Sequence, residues 1–239
     1  MQIKQCKGKY LIGDYMINAA LFSGGKDSTL AIHKAFSLGI KVDLLITIVP
    51  RNPESYMFHF PNLEFTKLQA EAMGIRQFFA GTSGNKEEEL EDLEAAIRKS
   101  GAGRIITGAI ASEYQASRVN AIARKLGIEH VAPLWHMDQI DELEEVAKNF
   151  EAIITAVSAE GLTESFLGKK IDAEMVAKIK ALSGKFGINA AFEGGEAETF
   201  VLDAPLFKKK ITIKNAEIKW HANSGVYIIK EAELSDKDK

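Results

Sequence analysis

Ser23, Gly24, Gly25, Lys26, Asp27 and Ser28 stand between a short apolar run and a stretch with helical spacing. A loop in that position aims backbone N–H groups and the positive end of a helix dipole at one spot, which makes it an anion site. The paired glycines allow a close backbone approach, and the serine hydroxyls add donors for phosphate oxygens. The pattern is neither the eight-residue P-loop nor the Gly-x-Gly-x-x-Gly fingerprint. A plain strand-to-helix turn with Asp27 as a first-turn cap is the ordinary alternative. A second group, Glu193, Glu196 and Glu198, lies within six residues around Gly194 and Gly195. Crowded carboxylates raise one another's proton affinity, and in an extended segment Glu196 and Glu198 share a face. Composition alone favours a solvated acidic turn there. Tyr114 and Arg118 fall four apart on one helical face, where Arg118 can meet a phosphate or pair with Glu113 or Glu129.

The surrounding elements decide whether these groups can meet. Residues 17–22 predict a buried strand, 27–38 a helix stopped by Gly39, and 42–49 a β-branched strand closed by Pro50. Strand, glycine turn, helix and strand in about thirty residues make a βαβ unit. Helices over 66–73, 86–99 and 112–126 and strands over 77–80 and 104–107 continue the alternation. This predicts an α/β fold with a doubly wound parallel sheet and its ligand at the carboxyl ends of the strands. After Pro133 the grammar changes: helices over 138–149 and 173–186 accompany strands over 152–157, 199–202, 210–216 and 226–229. The expectation is a nucleotide domain at 16–131 and a smaller C-terminal α+β domain at 132–239.

The chain has 239 residues, 30 Lys and Arg against 33 Asp and Glu, and a net charge of -3. That balance argues against nucleic-acid binding driven by bulk charge. Residues 1–130 carry 16 basic and 14 acidic side chains, whereas 131–239 carry 14 and 19. A single cysteine, Cys6, excludes an intramolecular disulfide and a cysteine-built zinc or iron–sulfur site. No apolar run is long enough to span a membrane, so a cytoplasmic protein is expected. His33, His59, His130, His136 and His221 show no ligand spacing and read as structural, Trp135 and Trp220 as core or interface, and Lys208 to Lys210 as a solvated strand edge.

Ser-Gly-Gly-x-Asp-Ser resembles the signature of the PP-loop ATP pyrophosphatases (adenine nucleotide alpha hydrolase-like), which release AMP and pyrophosphate. Further along, Glu54 to His59, Gly108 to Gln115, Arg118-Val119, Pro133-Leu134-Trp135, Leu167-Gly168-Lys169 and Glu193 to Phe207 resemble, in order, the archaeal and eukaryotic diphthine-ammonia ligases. The pattern departs at the amino end, where family members typically begin a few residues before the strand at Ala19, so the resemblance implies an extension at 1–15 with Met16 an alternative initiator, and at Ala116, where eukaryotic members usually carry Arg. The resemblance implies ATP-dependent amidation of diphthine on translation elongation factor 2. In that chemistry a carboxylate attacks the α-phosphate, pyrophosphate leaves, and ammonia displaces AMP from the acyl-adenylate.

It further implies ATP contacts from Ser23, Gly24, Gly25, Lys26, Asp27 and Ser28, from Ser55, Tyr56 and Met57 after the second strand, and from Gly108, Ala109 and Ile110. Asp27 would help hold Mg²⁺. Asp27, Arg118, Glu193, Glu196 and Glu198 are the expected catalytic set, and Tyr114, Gln115, Gly194, Gly195 and Thr199 the expected substrate contacts. Ammonium and elongation factor 2 are the expected partners, without membrane or nucleic acid; a homodimer is compatible with the sequence, which decides no oligomeric state. Another PP-loop enzyme, such as a tRNA thiolase, would commonly use cysteines that the chain lacks after Phe22. A non-catalytic ATP or AMP sensor leaves the glutamate block without a purpose.

Overall fold

A computed structural model describes residues 16–50, 62–82 and 88–237. Five parallel strands form the first sheet: β1 (Asn18–Leu21), β2 (Leu44–Pro50), β3 (Arg76–Thr82), β4 (Arg104–Ile106) and β5 (Glu129–Val131), in the order β3-β2-β1-β4-β5. The order reverses between β1 and β4, and the crevice beyond the carboxyl ends of those two strands is where such sheets bind ligands. The glycine loop leaves β1 at that point. β5 lies in a segment where no strand was predicted; it is three residues long and only half-buried, so it carries almost no periodic signal.

Alternating side chains of the parallel strands face two apolar layers. On one side Ala19, Leu44, Ile46, Ile48 and Ile105 pack against α3 (Glu88–Ser100) and α4 (Glu113–Leu126) through Leu93, Ile97, Val119 and Ile122. On the other, Ala20, Leu45 and Ile106 meet α1 (Lys26–Ser37) and α2 (Thr66–Met73) through Leu30, Ile32 and Ala70. This second layer runs without interruption into the C-terminal half, through Leu143, Val146, Ile153, Ile179 and Phe200. One continuous apolar core therefore underlies both sheets and ties them together.

The C-terminal sheet is antiparallel, ordered β7-β6-β9-β8, from β6 (Glu151–Val157), β7 (Ala197–Asp203), β8 (Lys210–His221) and β9 (Ser224–Ser235). Helices α5 (Gln139–Asn149) and α6 (Ala173–Phe186) are capped by Asp138 and Asp172, whose carboxylates accept first-turn N–H groups. β8 and β9 run well past the strands predicted over 210–216 and 226–229, as one long hairpin. Its far part alternates charged and partly buried residues, so hydrophobic periodicity understates it.

Candidate active site

The loop is held in place by the C-terminal sheet. The Lys26 N–H donates to Thr199 Oγ1 at 3.0 Å, and the Val201 N–H donates to the Gly24 carbonyl at 3.0 Å. The buried Gln69 amide joins the same carbonyl (2.8 Å) to that of Val201 (2.7 Å). Gly24 needs its glycine, since its φ is +83° and a Cβ would meet the Gln69 side chain. Gly25 is the helix cap and has no side-chain substitute: Asp27 does not cap α1. Ser28 Oγ donates to the Gly25 carbonyl at 3.1 Å and lies 3.4 Å from Ser23 Oγ. With the Lys26 N–H occupied, the N–H groups of Asp27 and Ser28 remain the first-turn donors without an intrahelical partner.

Lys26, expected to present its ammonium to a phosphate, points the other way. It is 1% exposed, and Nζ lies 2.5 Å from Asp27 Oδ1, 2.8 Å from the Ala191 carbonyl and 3.1 Å from Glu142 Oε2. Burial pulls this ammonium's pKa down, but the carboxylates of Asp27 and Glu142 outweigh it and hold it above the ordinary value. Glu142 is fully buried, and burial drives its carboxyl above the usual range against the pull of Lys26. Asp27 is the outward member of this group, with 34% of its side chain exposed.

The three glutamates separate into different tasks. Glu193 accepts from Ile110 N–H (2.9 Å) and Ala111 N–H (2.9 Å), and so bridges to the segment after β4. Glu196 folds back to accept from Asn189 N–H and Gly194 N–H, each at 2.9 Å. Glu198, beside Thr199 on β7, makes no side-chain hydrogen bond to a described residue. Burial and the nearby Asp27 carboxylate push its pKa up to about 8, against the opposing influence of Lys26. Gly195, at φ +84°, closes the turn and gives its carbonyl to Ser158 Oγ at 2.6 Å.

Gly108, Ala109 and Ile110, expected at the nucleotide, pass directly beside the loop. A Cβ on Gly108 would lie 2.7 Å from the Asp27 carbonyl carbon and 2.9 Å from Ser28 N, so glycine is required for this backbone to pass the start of α1. Ala109 and Ile110 are buried, and the Ile110 N–H is held by Glu193. Arg118 lies flat over Tyr114, its guanidinium carbon 3.3 Å from the ring centroid, and Nε is buried without an acceptor among the described residues. Glu129, one of its expected partners, pairs with Arg104 at 2.7 Å. His130 is structural in the sense that it bridges Thr107 and Asn120, each at 2.8 Å. Ser55, Tyr56 and Met57 lie outside the described residues, as does the side chain of Gln115.

Sequence reasoning did not single out Glu142, Gln69 or Ala191. The first two occupy the apolar stripes of their helices, Glu142 with Leu143 and Val146, Gln69 with Ala70 and Met73. A polar residue in an apolar stripe was the available signal. Ala191 contributes only a carbonyl, which leaves no mark in sequence.

Comparison with known proteins places the chain in a family. The diphthamide synthase N-terminal domain model matches residues 16–130 and the diphthamide synthase C-terminal domain model matches 138–234. The human diphthine–ammonia ligase is 34% identical over 228 residues, 85% of each chain, and the rat protein of that name is 36% identical with the same coverage. Among solved structures, a predicted subunit of a tRNA methyltransferase from Methanocaldococcus jannaschii covers 80% of this chain and 98% of its own, at 19% identity and a TM-score of 0.44, a loose likeness. With both domain models matched along nearly the whole described chain, the protein belongs to the diphthamide synthase family.

Proposed function

We propose that this protein uses ATP to amidate diphthine on translation elongation factor 2, giving diphthamide, AMP and pyrophosphate with ammonia as the nitrogen donor. Free carboxylate is a poor electrophile for ammonia. Its oxygen therefore attacks the α-phosphorus, the bond to the β-phosphate breaks, and pyrophosphate leaves. Ammonia then attacks the acyl carbon, and AMP departs with the oxygen. The observation that carries this reading is the stitching of the glycine loop to β7: Lys26 N–H to Thr199 Oγ1 and Val201 N–H to the Gly24 carbonyl put the adenylating loop beside Glu198.

The division of labour follows from what each group is free to do. The N–H groups of Asp27 and Ser28 and the hydroxyl of Ser23 face the phosphates and stabilise charge as pyrophosphate leaves. Asp27, with a partly exposed side chain, would help hold a magnesium ion shared with phosphates, which would neutralise phosphate charge. Glu198 receives the ammonium ion and accepts its proton, a task suited to a carboxyl near pH 8. Arg118, stacked on Tyr114, faces the carboxylate substrate. No helix among the described residues is long and apolar enough to cross a membrane.

The test supplies ATP, Mg²⁺, ammonium and elongation factor 2 carrying diphthine, and follows AMP together with the mass of the factor. Factor-dependent AMP with conversion of an acid to an amide, about 1 Da lighter, is the expected result. AMP formed equally without the factor would remove the ligase reading.

A further inference from the structure

Glu142 comes from α5, remote in sequence from the loop, and is fully buried. Its Oε2 is 3.1 Å from Lys26 Nζ, but neither oxygen has a partner in hydrogen-bond geometry. A buried carboxylate this poorly satisfied is destabilising relative to an apolar residue of similar volume. Its neighbours on the same stripe, Leu143 and Val146, show that an apolar side chain would pack there. Core packing therefore does not account for it, and its charged neighbours do: the Lys26 ammonium, with the Asp27 carboxylate close beside it. Lys26 in turn holds three oxygens at once, from Asp27, Ala191 and Glu142, on three separate segments. Asp27 is the only one of the three carrying a side chain that reaches solvent.

We propose that Glu142 is a positioning residue for the nucleotide site: acting through Lys26, it anchors the ammonium beneath the loop, so that Asp27 is fixed at the surface and the phosphates meet backbone N–H groups rather than the lysine. The proposal rests on the ligase reading for its turnover assay and is independent of it for binding. With an amide in place of the Glu142 carboxyl the hold on Lys26 is weaker, so that the ammonium rests mainly on Asp27 and Ala191, with freedom to swing and to take Asp27 with it. Geometry for the chemical step is lost while the donors for ATP remain.

The experiment is a double-mutant cycle on the full chain, with melting temperature recorded for each variant. Glu142→Gln is expected to lower factor-dependent AMP formation about tenfold while changing ATP affinity less than about threefold. In a Lys26→Met background the same substitution should cause no further loss of turnover, because its route of action is gone. Lys26→Met with Glu142→Leu removes both charges and should restore the melting temperature without restoring turnover, which covers the case in which single variants fold poorly. Wild-type turnover in folded Glu142→Gln, multiplicative losses in the cycle, or recovery of turnover in the apolar pair would each overturn the proposal. Should the wild type form no factor-dependent AMP, the ligase reading fails, and the cycle is read on ATP affinity. There Lys26→Met, which strands two carboxylates under the phosphates, weakens binding by about tenfold or more, and adding Glu142→Gln recovers at least about threefold. Absence of that recovery overturns the coupling.

Discussion

The glycine loop and the glutamate block are both short, glycine-paired segments at strand ends, yet they use their charged residues in opposite ways. In the loop, the cation is buried and the neighbouring Asp27 faces outward. In the block, two of the three carboxylates are committed to backbone N–H groups, and Glu198 is the one to which the proposed function gives the proton transfer. A charged residue in a motif thus reveals its role only through its partners. Lys26 serves as an internal counter-charge and Glu193 and Glu196 as acceptors that hold a turn and bridge two segments, while the proposed function assigns ligands to Asp27 and Glu198.

Substitutions that cross the two regions sharpen the contrast. The largest effect is expected for Asp27→Asn, with turnover down by about 100-fold or more and stability lowered by no more than about 1–2 kcal/mol, since Asn still accepts from Lys26. Kinetics beside a melting curve decide this; proportionate losses would make Asp27 a structural residue. Glu198→Gln comes next, at about 10- to 100-fold in turnover. Wild-type turnover should rise with pH through about 8 as Glu198 gives up its proton, and the variant should lack that limb.

Stability carries the opposite sign. Between the ordinary value of 4.5 and about 8, the folded chain keeps a proton on Glu198 that the unfolded chain releases. That contribution is complete below 4.5 and lost as pH rises through about 8. Glu198→Gln should therefore gain stability relative to the wild type at alkaline pH, and melting curves at two pH values would expose an error in this assignment.

The smaller effects belong to the committed carboxylates. Glu193→Ala should lower stability by about 2 kcal/mol, because the Ile110 and Ala111 N–H groups lose an acceptor 83 and 82 residues away in the chain. Glu196→Ala should cost about 1 kcal/mol, since its donors sit in a local turn where water can replace it. Chemical denaturation measures both. A turnover loss for Glu196→Ala matching that of Glu198→Gln would erase the distinction drawn within the block.

Much of the architecture was legible in the chain. The strand, glycine turn and helix at 17–38 appear within about two residues of the expected bounds, and α2 and α6 coincide with theirs. Apolar periodicity reports which face is buried, and those elements have one continuous apolar face. β5 and the length of the β8–β9 hairpin were not legible, because short or two-sided strands at sheet margins carry little periodicity. The glycine loop and the glutamate block could be recognised as local patterns of donors and carboxylates. Neither the burial of Lys26 nor the choice among three glutamates could be, since both depend on contacts with residues far away in the chain.

By itself, then, the sequence determined an α/β chain with an anion loop at a strand end and an acidic block able to take up protons, because backbone geometry and residue chemistry act locally. Which side chains are free was decided only by the tertiary structure. Glu142, Ala191 and Thr199 reach the loop from other segments, and the field and solvation at a buried charge depend on everything packed around it, whatever its distance along the chain.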